Sequence, residues 1–199
     1  MTNDQTRFLA ELAPAVQRFS SRTGLPASVL LAQAVLESDW GRSALARQHN
    51  NYFGIKAKPR PNGSTEPDYA TTEYIHGQRR RLKARFAQFA SLDACLDDYA
   101  RILSLPRYAR ARAVAANPFA FAVELQRCGY ATDPRYARKL ALLVRRYKLT
   151  QYDLCAPAES VQSTGSAEPA LSLPKGSPSE VPSSGEGRSG GVPAVSRKE

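Results

Sequence analysis

The feature that most constrains this 199-residue chain is a nearly uninterrupted apolar run close to its N-terminus. Within residues 27–36, only Ser28 and Gln33 are polar. A helix that is apolar on nearly all sides has to be buried on nearly all sides. The run therefore predicts a central helix that other elements surround, starting after Pro26 and stopping at Gly41.

Helices are also predicted on both sides of this run. Residues 5–22 carry apolar side chains at helical spacing and are followed by Gly24, a residue typical of helix ends. Ser91 is a good N-cap for another amphipathic pattern that extends to Leu103. Two further helices are predicted where a capping side chain precedes a proline. Their spans are 118–127, after Asn117, and 134–148, after Asp133.

The middle of the chain predicts a small β-hairpin. Residues 69–76 are β-branched and aromatic, which favours a strand, and 79–89 can form the return strand. In the return strand we expect Leu82 and Phe86 to face the core, with basic side chains on the opposite face. The fold class predicted is α+β, a mainly helical lobe and a β-hairpin lobe with a cleft between them.

The composition changes near Cys155. Half of residues 156–199 are Ser, Pro or Gly, and none is aromatic. Such a segment buries too little apolar surface to offset its ordering entropy, so it is predicted to be a disordered tail after a folded domain at 1–155. The domain carries 24 Lys and Arg against 13 Asp and Glu. A strongly basic domain suits a polyanionic partner: nucleic acid, an anionic membrane or a cell-wall polymer.

Several classes of protein are excluded by what the sequence lacks. No apolar stretch is long enough for a membrane span, and charged residues near the N-terminus replace the apolar run of a signal peptide. Three widely spaced cysteines and two histidines predict neither a disulfide framework nor a metal site. We therefore expect no metal and no other cofactor.

Two glutamates are candidates for acid–base chemistry. Glu37 closes the apolar helix, where burial and the negative end of the helix dipole would both raise the pKa of its carboxyl, as a general acid requires. Glu73 lies on the predicted hairpin and could face Glu37 across the cleft, an arrangement that suits glycosidic hydrolysis. The alternative is that both side chains are simply exposed to solvent.

Aromatic side chains near these glutamates could bind a sugar. Tyr130 and Tyr136 flank a short capped turn, and phenols can hydrogen-bond sugar hydroxyls or stack on sugar rings. Ordinary packing is the alternative for both, and equally for Trp40, Tyr52 and Phe53. Asp98 is either functional or an exposed charge on its helix.

Four segments occur in an order that is specific when they are taken together. They are LLAQAVLESDWG at 30–41, NNYFGIK at 50–56, TTEY at 71–74 and GYATDPRYA at 129–137. Over about residues 5–150 the chain resembles the bacterial peptidoglycan glucosaminidases, glycoside hydrolase family seventy-three, which include flagellar-type hydrolases. The resemblance implies a lysozyme-like α+β fold and cleavage of the β-1,4 bond after N-acetylglucosamine in cell-wall glycan.

The same resemblance assigns roles to residues of this chain. It places the general acid at Glu37, a second acidic residue at Glu73 and an assisting tyrosine at Tyr136 in preference to Tyr130. The expected substrate-binding residues are Trp40, Asn51, Tyr52, Phe53, Asp98 and Tyr130. We expect the protein to act on peptidoglycan glycan strands as a monomer, with no nucleic-acid partner.

Other functions and the route to the wall stay open. A lytic transglycosylase would need only Glu37, a basic helical nucleic-acid-binding protein would explain the charge, and a wall-binding module would bind without turnover. With no signal peptide visible, we expect synthesis in the cytoplasm and delivery to the wall by a non-Sec route, such as phage-type lysis or a dedicated secretion machine.

Overall fold

The apolar run forms α2 (Ala27–Ser38), the buried helix that the sequence predicts. The computed structural model of the chain describes residues 1–57, 68–75 and 78–153. Residues 27–35 are each at most 3% exposed, including the polar Ser28 and Gln33. The helix packs against three other helices and a terminal 3₁₀ turn, which is the environment that an all-apolar helix requires.

The described elements are helices, apart from one β-hairpin between the third and fourth helices. In chain order they are α1 (Asn3–Thr23), α2, α3 (Ala44–His49), β1 (Asp68–Ile75), β2 (Gln78–Arg85), α4 (Leu92–Leu103), α5 (Ala109–Ala113), α6 (Pro118–Arg127) and α7 (Tyr136–Arg146). Short 3₁₀ turns cover Pro106–Tyr108 and Leu149–Tyr152. The described residues belong to one compact unit, and the helices α1, α6 and α7 surround α2.

The caps that the sequence predicts define several helix ends. Gly24 ends α1 with a left-handed backbone, and its N–H donates to Ser20 O at 2.8 Å. The Ser91 side chain accepts from the Ala94 N–H, and the Asn117 side chain accepts from two N–H groups of α6. These helix starts and the 118–127 span are confirmed.

The predicted start of α7 is wrong by two residues. Asp133 does act locally, because its side chain accepts from the Arg135 N–H and its carbonyl accepts from the Tyr136 N–H. These bonds form a turn over Pro134 and Arg135, and helical structure begins only at Tyr136. The helix also ends at Arg146, two residues before the predicted 148.

The hairpin is a two-stranded antiparallel sheet, in which Glu73 pairs with Arg80 and Thr71 with Leu82. The return strand is shorter than predicted and ends at Arg85, because the chain then leaves the sheet with Phe86 buried under it. Leu82 is 41% exposed, so its expected core position is wrong. It lies on a two-stranded sheet that no further strand extends in the described residues.

The predicted tail over 156–199 lies outside the described residues, as do residues 76–77 between the two strands. The domain boundary near residue 155 therefore stays a prediction. Across the described ranges, no helix combines the length and the apolar character that crossing a membrane requires. Within the same ranges, no three His, Cys, Asp or Glu side chains group as metal ligands.

Candidate active site

Glu37 lies in the last turn of α2 and is 7% exposed. The helix ends at Ser38, so the predicted stop at Gly41 is wrong by a few residues, because Asp39 already adopts a left-handed backbone. Ser38 stabilises the turn that follows by accepting the Gly41 N–H at 2.7 Å. Asp39, Trp40 and Gly41 all have positive φ, so the chain turns away sharply after the helix. The local sequence thus places a carboxyl at the end of a buried helix, where solvent has little access.

Tyr136 is the group of α7 that faces this carboxyl. Its ring is 2% exposed, and its hydroxyl accepts from Gln33 Nε2 at 2.9 Å and interacts with Glu37. Burial first, and then the charge of Glu37, raises the pKa of this phenol well above its usual value. Tyr136 therefore keeps its proton at neutral pH and acts as a hydrogen-bond donor rather than as a base.

Tyr130 stacks on Tyr136, with ring centroids 5.9 Å apart and planes 28° apart. It is fully buried, and burial raises the pKa of its phenol well above the usual value. Tyr130 thus packs against the ring of Tyr136, and both phenols interact with Glu37. The expected role of Tyr136 as the assisting residue stays a prediction.

Glu73 projects from β1 and is 7% exposed. Its carboxylate pairs with Lys56 Nζ and accepts from the Thr132 hydroxyl at 3.4 Å. The Lys56 side chain is 22% exposed, so the pair is largely shielded from water. The ion pair and the hydrogen bond together limit the orientations of this carboxylate.

Both carboxyls contact one short segment, residues 130–136. Glu73 contacts Thr132 from the hairpin side, and Glu37 contacts Tyr136 from the helical side. Thr132 and Tyr136 are four residues apart in the chain. Glu37 and Glu73 thus interact with two residues of the same short segment, and their role in one active site stays a prediction.

Asn51 and Phe53 are instead engaged in packing. The Asn51 amide donates to Ile55 O and Ala87 O at 2.8 and 2.9 Å and accepts from the Ile55 N–H at 2.9 Å. Phe53 is fully buried, with its ring 4.8 Å from that of Tyr99. Their expected contact with substrate stays a prediction, and these bonds give both residues a structural role.

Trp40 and Tyr52 contact a second aromatic group around α1. The Trp40 ring lies 4.7 Å from that of Tyr147 and 6.0 Å from that of Phe8, and Tyr52 lies 6.3 Å from Phe8. Both side chains are partly buried. Asp98 pairs with Arg101 on the same helix at 2.6 Å. For these three residues, too, substrate binding stays a prediction.

Sequence reasoning missed four residues next to the glutamates: Gln33, Lys56, Tyr99 and Thr132. Gln33 had a signal, because it is one of the two polar residues in the apolar run and stands one turn before Glu37. Lys56 and Thr132 lie inside the motifs quoted for the resemblance, but nothing in the sequence paired them with Glu73. Their proximity depends on how the hairpin docks.

Comparison with known proteins places the chain in a family. The profile of the family named Glucosaminidase, described as mannosyl-glycoprotein endo-beta-N-acetylglucosaminidase, matches residues 13–149. The chain belongs to this family. The mainly helical fold with a small hairpin, expected from the resemblance, is confirmed, and so is the assignment to glycoside hydrolases.

Named relatives of the glucosaminidase family agree with this. The peptidoglycan hydrolase FlgJ of Salmonella typhimurium is 38% identical over 172 residues, covering 84% of this chain and 52% of FlgJ. The exo-glucosaminidase LytG of Bacillus subtilis is 33% identical over 162 residues, covering 78% of this chain and 56% of LytG. The chain thus matches little more than half the length of these relatives.

A solved structure of the same kind is the catalytic domain of the autolysin Auto from Listeria monocytogenes. It superimposes with a TM-score of 0.63 at 33% identity, covering 77% of this chain and 89% of that domain. The matched part of this chain therefore has the architecture of an autolysin catalytic domain.

Proposed function

We propose that this protein hydrolyses the β-1,4 bond after N-acetylglucosamine in the glycan strands of bacterial peptidoglycan. Family membership and the naming of FlgJ as a peptidoglycan hydrolase support the substrate class. The observation that carries the proposal is the convergence of two shielded carboxyls, Glu37 and Glu73, on the segment 130–136.

In this proposal Glu37 is the general acid. It donates a proton to the glycosidic oxygen as the bond to the anomeric carbon breaks and an oxocarbenium-like transition state develops. The hydroxyl of Tyr136 stabilises the carboxylate that remains after the proton has left. A shielded position at the end of α2 suits a group that must hold a proton until substrate arrives.

Glu73 acts on the opposite side of the bond. Held in place by Lys56, Glu73 can activate a water, which inverts the anomeric centre, or orient the substrate's own 2-acetamido group, which retains it. The stereochemistry of the product distinguishes these two courses. All groups come from one chain, so a monomer is sufficient, and the site of action is the cell wall.

The test is the loss of activity in Glu37→Gln. Because proton donation is typically worth about 10²- to 10⁴-fold, this variant should lose nearly all turbidity reduction on purified cell walls. Glu11→Gln, an exposed residue of α1, is the matched control and should keep full activity. An active, folded Glu37→Gln protein would contradict the proposal.

The digest itself separates this function from the alternatives. A glucosaminidase leaves reducing N-acetylglucosamine ends, which mass spectrometry detects. Anhydro-sugar ends would show a transglycosylase, and binding to walls without any fragment would show a non-catalytic module. Either result would overturn the proposed hydrolysis.

A further inference from the structure

A directed chain of buried hydrogen bonds runs behind Glu37. The Tyr99 hydroxyl of α4 donates to Gln33 Oε1 at 2.7 Å, and Gln33 Nε2 donates to the Tyr136 hydroxyl at 2.9 Å. Tyr99 and Gln33 are fully buried and Tyr136 is 2% exposed. The chain therefore joins three helices in a region closed to water.

The direction of these bonds fixes where the proton of Tyr136 goes. Tyr99 donates to the amide oxygen, so the amide presents its N–H to Tyr136 and the Tyr136 oxygen acts as acceptor. A phenol has one proton, which is then available to the neighbouring Glu37. Gln33 and Glu37 are one helical turn apart on the same face of α2, which places both beside this hydroxyl.

If the amide were reversed, the result would be the opposite. Gln33 Oε1 would then face Tyr136 and compete with Glu37 for the phenol proton. Tyr99 opposes this reversal, because a reversed amide would take away the oxygen that accepts the Tyr99 proton. Tyr99 thus influences the interaction between Tyr136 and Glu37, although Tyr99 itself contacts only Gln33 in this chain of hydrogen bonds.

We propose that Gln33 and Tyr99 are positioning residues, which direct the Tyr136 proton to Glu37 and so stabilise the carboxylate formed when Glu37 donates its own proton. The inference rests on the proposed function, because it gives Glu37 the role of general acid. Neither residue reaches the substrate, since both are fully buried.

The titratable groups that interact with Glu37 in the described residues include three phenols: Tyr99 of α4, Tyr130 between α6 and α7, and Tyr136 at the start of α7. Burial is the largest cause that raises the pKa of each phenol. All three stay protonated through the neutral range, so a change in the pH profile of a phenylalanine variant does not come from titration of the phenol removed.

The principal experiment compares Tyr99→Phe with Tyr108→Phe. Both tyrosines are fully buried, and Tyr108 is outside the chain from Tyr99 to Glu37. Losing a hydrogen bond to a charged group is expected to lower the rate roughly tenfold or more. Tyr99→Phe should therefore lower the rate on soluble glycan fragments about tenfold and move the alkaline limb of its pH profile to higher pH. Tyr108→Phe should change neither.

A double-mutant cycle tests whether Tyr99 acts through Tyr136. In a Tyr136→Phe background, the further change Tyr99→Phe should have no added effect on rate or pH profile. In a Gln33→Met background, where no amide can reverse, Tyr99→Phe should likewise have no added effect on rate or pH profile. Circular dichroism establishes that each variant is folded.

The outcomes separate this inference from the proposed function. An inactive Glu37→Gln together with an unchanged rate and pH profile in folded Tyr99→Phe would overturn the positioning roles alone. Independent, additive effects of Tyr99→Phe and Tyr136→Phe would also overturn them. An active Glu37→Gln would overturn the proposed function and this inference with it.

Discussion

The residues just after Glu37 have an unusual backbone. Asp39, Trp40 and Gly41 follow one another with φ of 52°, 59° and 74°. Left-handed conformations cost non-glycine residues about 1 kcal/mol or more each, so this turn persists only because its surroundings hold it. At Gly41 a Cβ atom would lie 2.8 Å from Phe8 Cε2, which leaves no room for a side chain. This turn fixes where α2 ends.

Gly41→Ala should therefore destabilise the protein more than Gly24→Ala. Both glycines have positive φ, but a Cβ on Gly24 would meet nothing within 4 Å. We expect a loss of about 1 kcal/mol for Gly24→Ala from backbone strain, and of about 2–4 kcal/mol for Gly41→Ala, where overpacking is added. Urea denaturation measures both free energies of unfolding. Equal losses would mean that the Phe8 ring moves aside freely.

For single residues, the sequence predicts burial and orientation from residue type and pattern. It does not predict contacts between segments that are far apart in the chain. The burial of Glu37 follows from the apolar run before it, and the face of Glu73 follows from strand alternation. Lys56 and Glu73 form an ion pair although they lie in different segments. Neither segment has a sequence pattern that predicts this contact. Leu82 shows the converse error, because alternation does not say whether a second layer covers that part of the sheet.

The loop after α3 connects the helical part to the hairpin, and Asn51 holds it. Its amide is hydrogen-bonded to the backbone of Ile55, before the hairpin, and of Ala87, after β2. One side chain therefore joins the segments on both sides of the hairpin. Lys56 lies in the same loop and bridges to Phe86 through the backbone. The position of the Lys56–Glu73 pair thus depends on Asn51.

Asn51→Ala should lower the free energy of unfolding by roughly 2–4 kcal/mol, because it leaves buried backbone groups without partners. Thermal melting monitored by circular dichroism, with urea denaturation for the free energy, checks this. Should Asn51 instead contact substrate as the sequence analysis expected, the variant would keep its stability and bind glycan more weakly.

Long elements were more predictable than short ones. The helices α1, α4 and α6 carry periodic patterns over ten or more residues, and α2 is a long apolar run after Pro26; these signals fixed their positions. The helices α3 and α5 have six and five residues, too few to show a helical period, and were missed. The start of α7 was misplaced because Asp133 stabilises a turn before the helix.

On the scale of the whole molecule, charge is the dominant property. The chain has a formal net charge of +10, and the described strand β2 carries exposed basic residues at Arg80, Arg81, Lys83 and Arg85. Long-range attraction to an anionic wall would raise the local concentration of enzyme on an insoluble substrate. Such attraction weakens as salt shortens the screening length from about 10 Å at 0.1 M to about 3 Å at 1 M.

Binding to purified walls should therefore decrease steeply between low and high ionic strength, as measured by co-sedimentation. The rate on short, uncharged glycan fragments should change little over the same range, because their cleavage depends on local contacts. Wall binding that is independent of salt would show that the basic surface does not contribute.

The enclosure of α2 has a consequence for how the proposed enzyme fluctuates. A helix surrounded by α1, α6 and α7 exchanges its amide protons only when the whole domain opens, whereas a two-stranded hairpin opens far more often. The two carboxyls therefore belong to regions with different lifetimes of opening. Motions that admit and release a glycan strand will come from the hairpin side, around an acid that stays fixed.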